Sequence, residues 1–496
     1  MKLSEILEQC KTNFHFENFF DFNVIDVSAN SRIIKNNFIY AAIKGTNDNG
    51  ENYLSDVIKF RKIAVLISKS TKINLSNKHV VFIRTINVRK LFSEIASIIY
   101  KNSINEKVAI TGTNGKTSIS DYVRQIWETL RLQGASIGTL GNYIKKKKID
   151  ISKLTTPDAV TLHKQLNHIS KKNCNKIIIE ASSIGLEQNR LYPIKFDKVA
   201  FSNLSRDHLD YHKNFLNYKK AKSILFIQHI KPNSIAVLNT DDKYSNFFFE
   251  ICKKKKLKIL DFGKNGKFLK FFSLKKKDNG FEYNVHFKNE KRKIFTKAIS
   301  EYEIYNKICS LIIVFGNDLD INKFKLLNNL KNPPGRLDKV KKNWNIFIDY
   351  AHTPDALSNV LKNLKKNCEG NLFTIIGCGG DRDKTKRPLM TKEALKFSDQ
   401  VIITDDNPRM ENPAQIRKDM MKNLSYIEKK KVMEIADRKK AIMFAINLLK
   451  KMDYLLIAGK GHENYQLIGN KRYFFSDKLM VKKIINCKNH VGLKRN

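Results

Sequence analysis

No stretch of this chain is apolar for long enough to cross a bilayer. A spanning helix needs about 18 to 20 consecutive apolar residues, and none of the 496 residues begins such a run. The opening segment, Met1 to Phe20, mixes acidic and polar residues with apolar ones and does not read as a secretion signal. Paired cysteines are missing as well. The seven present (Cys10, Cys174, Cys252, Cys309, Cys368, Cys378, Cys487) are scattered, which argues against a disulfide framework or a zinc site and for free thiols in a reducing cytoplasm. No internal repeat is evident. Acidic residues are scarce, 48 against 92 Lys and Arg, for a formal charge of +44. Such an excess suggests nucleic acid, but the Lys runs at 145–148, 253–256 and 275–277 fall between ordered-looking segments, and Lys, Asn and Ile are abundant throughout. The charge reads as a compositional bias, not a clustered footprint. A cytoplasmic protein with no nucleic-acid partner and no membrane insertion is expected, one whose excess charge attracts anionic substrates.

What is present is an ordinary globular chain, 42% hydrophobic. At ~150 residues per domain its length suggests about three domains. Residues 1–105 hold short apolar runs at Phe22–Val27, Phe38–Ile43, Ile63–Ile67 and Val80–Ile83, read as strands of a small α/β unit. Residues 106–332 alternate strands with helices, except that 258–298 is Lys-punctuated with turns at Gly263–Gly266 and Asp278–Gly280, read as antiparallel hairpins. Pro333-Pro334-Gly335 marks a boundary. From there to residue 496, strands at Ile346–Ile348, Leu372–Ile376, Val401–Thr404 and Tyr454–Ala458 alternate with helical patterns at Pro354–Leu364, Leu389–Phe397, Pro413–Leu424 and Arg438–Leu449, the signature of a doubly wound parallel sheet. Ligands bind such sheets beyond the carboxyl ends of the strands. Polar and Gly-rich groups stand there: Asp349 and His352, Gly379 to Arg382, Asp406 to Arg409, and Gly459 to Glu463.

The most informative string is Thr111-Gly112-Thr113-Asn114-Gly115-Lys116-Thr117. It follows an apolar run (Val108, Ala109, Ile110) and precedes Ile119, Val123, Ile126, Trp127 and Leu130 at helical spacing. Strand, Gly-rich turn, Lys, hydroxyl and helix together cradle phosphates, with Lys116 as a point charge and the Thr117 hydroxyl able to sit on Mg²⁺. The general P-loop pattern has a Gly where this chain has Ile110, so this is a shorter variant or not a P-loop. Glu180, ending the run Ile177–Ile179, is placed to hold Mg²⁺. Val199–Phe201 leads into Asn203 to His208, and Tyr218, Ala221, Lys222, Leu225 and Phe226 indicate a helix with Lys222 close to its apolar face.

With Ser205 to Tyr211 the chain resembles the Mur ligase family. The resemblance rests on Thr111–Thr117, Thr155-Thr156, Glu180 to Ser183, Ser205–Tyr211, Asp349 to His352, Gly379–Pro388, Asp406–Arg409 and Gly459–Glu463, in that order over nearly the whole chain. It implies a three-domain α/β architecture: a UDP-sugar-binding N-terminal domain (1–105), a central P-loop-type ATPase domain (106–332) and a Rossmann-like C-terminal domain that binds an amino acid (333–496). It further implies ATP-dependent amide-bond formation through an acyl phosphate in peptidoglycan precursor synthesis, by a chain acting as a monomer. By the resemblance, residues 111–117 with Ser118 bind ATP, joined by Asn306, Arg336 and Asp349. Thr117 and Glu180 hold one Mg²⁺, His208 belongs to a second metal site, and Lys222 aligns with a lysine that CO₂ carbamylates. Lys116, Glu180, His208 and Lys222 form the implied catalytic set.

The nucleotide-sugar peptide, UDP-N-acetylmuramoyl-L-alanyl-D-glutamate, is assigned by the same resemblance to Ser31, Thr46, Asn47 and Asp48, with Thr155, Thr156, Ser182, Gln188 and Arg190. Asp406, Asn407, Pro408 and Arg409, with Arg382, Gly459 and Glu463, match the members that add meso-2,6-diaminopimelate. The charges make sense unaided, because a guanidinium pairs bidentately with the distal carboxylate that distinguishes this amino acid from lysine, and Glu463 can hold an ammonium. Ile184 stands where relatives usually have His, and Ser300 and Glu303 replace a Gly and an Asn. Two other readings stand beside this one. One is a folylpolyglutamate synthase-like ligase, opposed by the diaminopimelate string and the first domain. The other is a non-catalytic nucleotide- or RNA-binding module, which needs no set like Glu180, His208 and Lys222.

Overall fold

The computed structural model describes residues 1–45, 48–72, 79–150, 154–341 and 343–490, arranged around three large sheets, with a small two-stranded one formed by Tyr465–Ile468 and Lys471–Phe474. The first sheet has the order Phe14–Glu17, Val80–Thr85, Ile63–Ser68, Phe38–Ala41, Asp26–Ser28. Its strands are parallel except the first, which runs antiparallel at one edge. The strand expected over Phe22–Val27 is shorter than its apolar pattern. Only Asp26–Ser28 joins the sheet, while Phe22 and Val24 are buried in an irregular segment hydrogen-bonded to the chain's start. Their side chains pack in one cluster with Leu3, Ile6 and Leu7, so burial there reflects contact with a helix and not sheet pairing.

The second sheet has eleven strands. Its parallel centre runs, in spatial order, Lys258–Gly263, Ile230–Asn239, Phe196–Phe201, Glu106–Thr111, Lys176–Glu180 and Gly134–Gly138. The expected hairpins are present as an antiparallel meander of Leu269–Lys277, Gly280–Phe287 and Glu290–Lys297. The turn at Gly263–Gly266 is not a hairpin, however. Lys258–Gly263 pairs parallel with strands on both sides, and the Asp261 carboxylate accepts the N–H groups of Lys267 and Phe268, pinning the loop that returns the chain. Helices Lys116–Thr129 and Glu301–Phe315 cover one face, where Ile119, Val123, Ile126 and Trp127 enter the core as their spacing requires. Helices Ala159–Lys171, Phe215–Gln228 and Ser245–Lys254 cover the other.

The third sheet is ordered Asp338–Lys341, Trp344–Asp349, Tyr454–Ala458, Leu372–Ile376, Gln400–Ile403, Val432–Glu434, all parallel but the first. Helices Pro354–Lys365, Lys386–Phe397 and Pro413–Met420 pack on one face, and Arg438–Leu448 and Asp477–His490 on the other. This is the doubly wound arrangement, built from near-continuous apolar strands as burial on both faces requires. Among the described residues no helix is long and apolar enough to cross a membrane.

Candidate active site

The Gly-rich loop leaves the strand Glu106–Thr111 at its carboxyl end and enters the helix at Lys116. Ile110, in the place of the P-loop's first Gly, is a fully buried strand residue paired with Glu180, so the loop is short because the strand runs further. Gly115 has φ +87°, and a Cβ there would lie 2.6 Å from Asn306 Oδ1, which suits only glycine. The Thr113 N–H donates to the Asn203 carbonyl (2.8 Å) and the Asn114 N–H to Asn203 Oδ1 (2.9 Å). The Lys116 ammonium folds back onto the Gly112 and Thr113 carbonyls, both at 2.8 Å. Asn114, Gly115, Ser118, Asn306, Arg336 and Asp349 line one cleft of about 810 Å³, within the range of nucleotide-sized pockets.

The strand register sets Glu180 beside this loop. Its carboxylate accepts the Thr117 hydroxyl (2.9 Å), the Thr139 N–H (2.9 Å) and the Thr139 hydroxyl (3.0 Å). Burial pushes this carboxyl above its ordinary range, against the pull of Lys116 and the hydrogen bonds. Lys222, in the helix Phe215–Gln228, is buried and donates to the Gly112 carbonyl at 2.7 Å, its ammonium 4.5 Å from the centre of the Tyr218 ring. Burial, and then the charge of Lys116, push the Lys222 amine well below its ordinary range. His208 adopts φ +53° and is 3.5 Å from Asp207, which His352 of the third sheet's unit reaches at 3.8 Å. Burial opposes ionisation of Asp207, but the charges of His208, His352 and Lys386 hold its carboxyl well below the usual range. The sequence assigned no role to Thr139 or Asp207. The signal for Thr139 was its place just past the strand Gly134–Gly138, beside the strand that ends at Glu180.

The third unit closes the cleft. Arg336 stacks on Tyr350 (4.6 Å) and reaches the Thr117 hydroxyl at 3.3 Å. Asp349 spends both oxygens on backbone, accepting Leu337 N–H (2.6 Å) and Ala351 N–H (2.7 Å), so it shapes the turn carrying Arg336 as well as lining the cleft. Asn114 meets Asp355 at 3.5 Å, and Arg206 donates to Thr385 at 2.7 Å.

Residues 110–314 match the Mur ligase middle domain and residues 335–461 the Mur ligase glutamate ligase domain. A Rickettsia conorii protein named UDP-N-acetylmuramoyl-L-alanyl-D-glutamate–2,6-diaminopimelate ligase is 38% identical over 476 residues, 93% of this chain and 96% of that one. The chain belongs to the Mur ligase family. A solved structure of a ligase with that same name superposes with a TM-score of 0.63 at 30% identity, covering 94% of this chain and 96% of that chain. Folylpolyglutamate synthase from Mycobacterium tuberculosis shares the fold at 15% identity, with a TM-score of 0.61 over 72% of this chain and 89% of its own. The three-domain α/β architecture of the Mur ligases is thus the architecture of this chain.

Two further groups of residues meet in this Mur ligase. Thr156 donates to the Glu180 carbonyl (2.7 Å) and lies 2.9 Å from the Ser182 hydroxyl, while Thr155 and Thr139 share a hydrogen bond (3.0 Å). Arg190 donates to the Thr156 carbonyl (2.8 Å) and grips Gln188 Oε1 through two nitrogens (3.0 and 2.7 Å). Five of the residues assigned to the nucleotide-sugar peptide therefore form one connected wall beside Glu180. Ser31 opens a one-turn helix just after the edge strand Asp26–Ser28, with no hydrogen bond to that wall among those of the described residues, and Asp48 accepts the Tyr53 hydroxyl (2.7 Å). Thr46 and Asn47 lie outside the described residues. Ile184 falls in the short helix that Ser182 caps, and Glu303 is buried in an ion pair with Lys307 (2.9 Å) beside the cleft.

The rim of the third sheet gathers the other group. Arg409 (φ +52°) donates to the Gly380 carbonyl at 2.6 Å, and Arg382 is near enough for its charge to add to the effect of burial in lowering the Arg409 guanidinium. Pro408 packs on the backbone of Gly380, where a Cβ would lie only 1.9 Å from the Pro408 carbonyl oxygen. Gly459 (φ +110°) leaves room for Asp406, whose Oδ2 would lie 2.8 Å from a Cβ there. Asn407 donates to Glu463 at 2.9 Å. Lys460, fully buried, donates to Asn407 Oδ1 (3.0 Å) and Glu463 Oε2 (3.3 Å). It stood in the strand-end string of the sequence, but nothing there showed that it points inward.

Proposed function

We propose that this Mur ligase joins meso-2,6-diaminopimelate to UDP-N-acetylmuramoyl-L-alanyl-D-glutamate with ATP, in the cytoplasm, as a step of peptidoglycan precursor synthesis. The observation that carries the reading is the rim, where the Arg409 guanidinium, held on the Gly380 carbonyl at 2.6 Å, feels the charges of Arg382, Asp406 and Glu463, and Glu463 is fastened by Asn407 and Lys460. Two guanidiniums suit carboxylates and the acidic pair suits an ammonium, which is the charge pattern of an amino acid whose far end bears both groups. Lysine would leave a guanidinium without its partner.

The chemistry has two parts. A carboxylate oxygen of the D-glutamyl residue takes the γ-phosphoryl of ATP, so that the bond between the β–γ bridging oxygen and the γ-phosphorus breaks, an acyl phosphate forms and ADP leaves. The amine then attacks the acyl carbon, inorganic phosphate departs and the amine loses a proton. Both parts crowd anions, so the site must supply positive charge and alignment. Lys116 can exchange its loop carbonyls for phosphate oxygens, Arg336 brings a guanidinium from the third unit, and the Arg190 wall orients the peptide. Thr117 and Glu180 offer hard oxygen donors for one Mg²⁺, and His208 with Lys222 would hold a second, which when bound neutralises phosphate oxygens. Among the described residues no three acidic, His or Cys side chains are grouped to hold a metal. A carbamate on Lys222 supplies the missing anionic oxygens. The buried amine, pushed towards its neutral form, is suited to add to CO₂.

A phosphate-release assay with the muramoyl dipeptide nucleotide, ATP and Mg²⁺ tests the reading, comparing diaminopimelate, lysine and glutamate. Release of ADP and phosphate with a lengthened peptide only in the presence of diaminopimelate is expected. Equal turnover with lysine, or none with any of the three, overturns it.

A further inference from the structure

Lys460 is a cation in a place that has to receive another cation. It is fully buried at the carboxyl end of the strand Tyr454–Ala458, and Gly459 and Gly461 on either side both have positive φ, which turns the chain inward. Its ammonium donates to Asn407 Oδ1 (3.0 Å) and Glu463 Oε2 (3.3 Å) and lies 5.6 Å from the Tyr465 ring centre. Asn407 closes the triangle, donating from Nδ2 to the same Glu463 Oε2 at 2.9 Å and accepting the Leu467 N–H at 2.9 Å. Both bonds to Glu463 land on Oε2, and neither uses Oε1.

Resting on the proposed amino-acid site, we infer that Lys460 is a positioning residue for amino-acid specificity, locking Glu463 with Oε1 presented to the incoming ammonium and offsetting one of the two carboxylate charges at the acidic end of the site. Asp406 and Glu463 are the carboxylates there and Lys460 is the cation hydrogen-bonded to Glu463, while the Arg409 guanidinium and the buried Arg438–Asp477 pair face the same two carboxylates from neighbouring elements. Without Lys460 two carboxylates would stand together in a buried site, and like charges so placed favour uptake of a proton by one of them. Burial and Asp406 already push the Glu463 carboxyl upward, while Lys460 and Asn407 oppose that. A protonated Glu463 would lose its attraction for an ammonium. Lys460 therefore acts through Glu463 and not on the substrate, which its position behind the carboxylate requires.

A double-mutant cycle on the full chain tests this, reading KM for diaminopimelate, KM for ATP and kcat separately. Glu463→Gln should raise KM for diaminopimelate about 10- to 150-fold, the scale of one charge-assisted hydrogen bond, and Lys460→Met should do the same. The doubly substituted protein should be no worse than Glu463→Gln alone, within about twofold, and KM for ATP should stay unchanged throughout. Multiplying effects would mean that Lys460 touches the substrate itself, and an equal rise in both KM values would mean a merely structural role; either overturns the inference, as does an unchanged KM in Lys460→Met. Should Lys460→Met fail to fold, Lys460→Gln, which keeps a donor without the charge, enters the same cycle. An unaltered protein that turns over no diaminopimelate overturns the proposed function and this inference together, whereas normal turnover with a multiplicative cycle overturns the inference alone.

Discussion

Lys116 and Lys222 donate to the same oxygen: the Gly112 carbonyl accepts both ammonium groups, at 2.8 and 2.7 Å. The two lysines come from different helices, and both amines are pushed down by burial, Lys222 the further. Two buried cations sharing one carbonyl repel each other, and the repulsion eases when Lys222 is neutral or carries a carbamate. Lys222→Ala should accordingly lose about 100-fold or more in kcat, the scale of removing one preorganised charge-stabilising group. Added short-chain carboxylates should restore part of it by occupying the vacated space with an anion. Full activity in Lys222→Ala, or no response to acetate or propionate at any concentration, would contradict a carbamate at this position.

Gly138 gives a test that is read in stability as well as in the reaction. An ideal Cβ there would lie 2.1 Å from Glu180 Oε1, and Glu180 is tied down by Thr117 and Thr139. The carboxylate cannot swing aside without breaking these bonds. Gly138→Ala should lower unfolding stability by about 1–3 kcal/mol, as overpacking of a tight site does, and should also impair ATP turnover because Glu180 moves. Urea unfolding combined with kinetics checks both. A variant as stable and as active as the parent would show that Glu180 does not occupy this position in solution.

Four of the third sheet's six strands were legible in the sequence, because strands buried on both faces are uniformly apolar and the helices between them have a clear period; the short, partly exposed edge strands Asp338–Lys341 and Val432–Glu434 carry no such run and were missed. Ile346–Ile348 and Leu372–Ile376 needed no tertiary information. Phe22–Val27 did, since an apolar pattern reports burial and not the partner that causes it. The strand Lys258–Gly263 was misplaced for a related reason: the apolar pattern does not encode pairing direction, nor the bonds by which the Asp261 carboxylate holds the returning loop at Lys267 and Phe268. At the site, Lys116, Glu180 and Lys222 were visible as residues at strand ends or on an apolar helix face. Thr139, Asp207 and the inward turn of Lys460 were not, because their importance lies in what they touch across the fold.

Arg409 should be less replaceable than its charge suggests. Its guanidinium is held by the Gly380 carbonyl at 2.6 Å, and the backbone around it is fixed by Leu467 and Gly469. Lys at this position keeps the charge but loses the planar fork that binds the Gly380 carbonyl and a carboxylate together. Arg409→Lys should raise KM for diaminopimelate about 10- to 150-fold and leave KM for ATP within about twofold. Steady-state kinetics with each substrate varied in turn decide it, and an unchanged KM for the amino acid removes Arg409 from the binding site.

The loop that carries Arg409 is fastened by a second arginine, and that fastening has a pH signature. Arg387 is buried and grips both oxygens of Glu411 at 2.9 Å, while its other nitrogen reaches Asp419 at 2.8 Å and the Asp381 N–H donates to Glu411 at 2.6 Å. The hydrogen bonds from Arg387, the largest influence, pull the Glu411 carboxyl down from 4.5 to about 2. A carboxyl lowered on folding stabilises the folded state fully above its unfolded value, and that contribution fades as the pH falls towards its folded value. Glu411→Gln should therefore be less stable than the parent at neutral pH, by an amount that is constant down to about pH 5 and then shrinks as the pH drops through 4.5 towards 2. Urea midpoints for the two proteins, measured from pH 7 down to about pH 3, give the comparison. A gap that stayed constant across that range would show that the Arg387 clamp does not depend on the charge of Glu411.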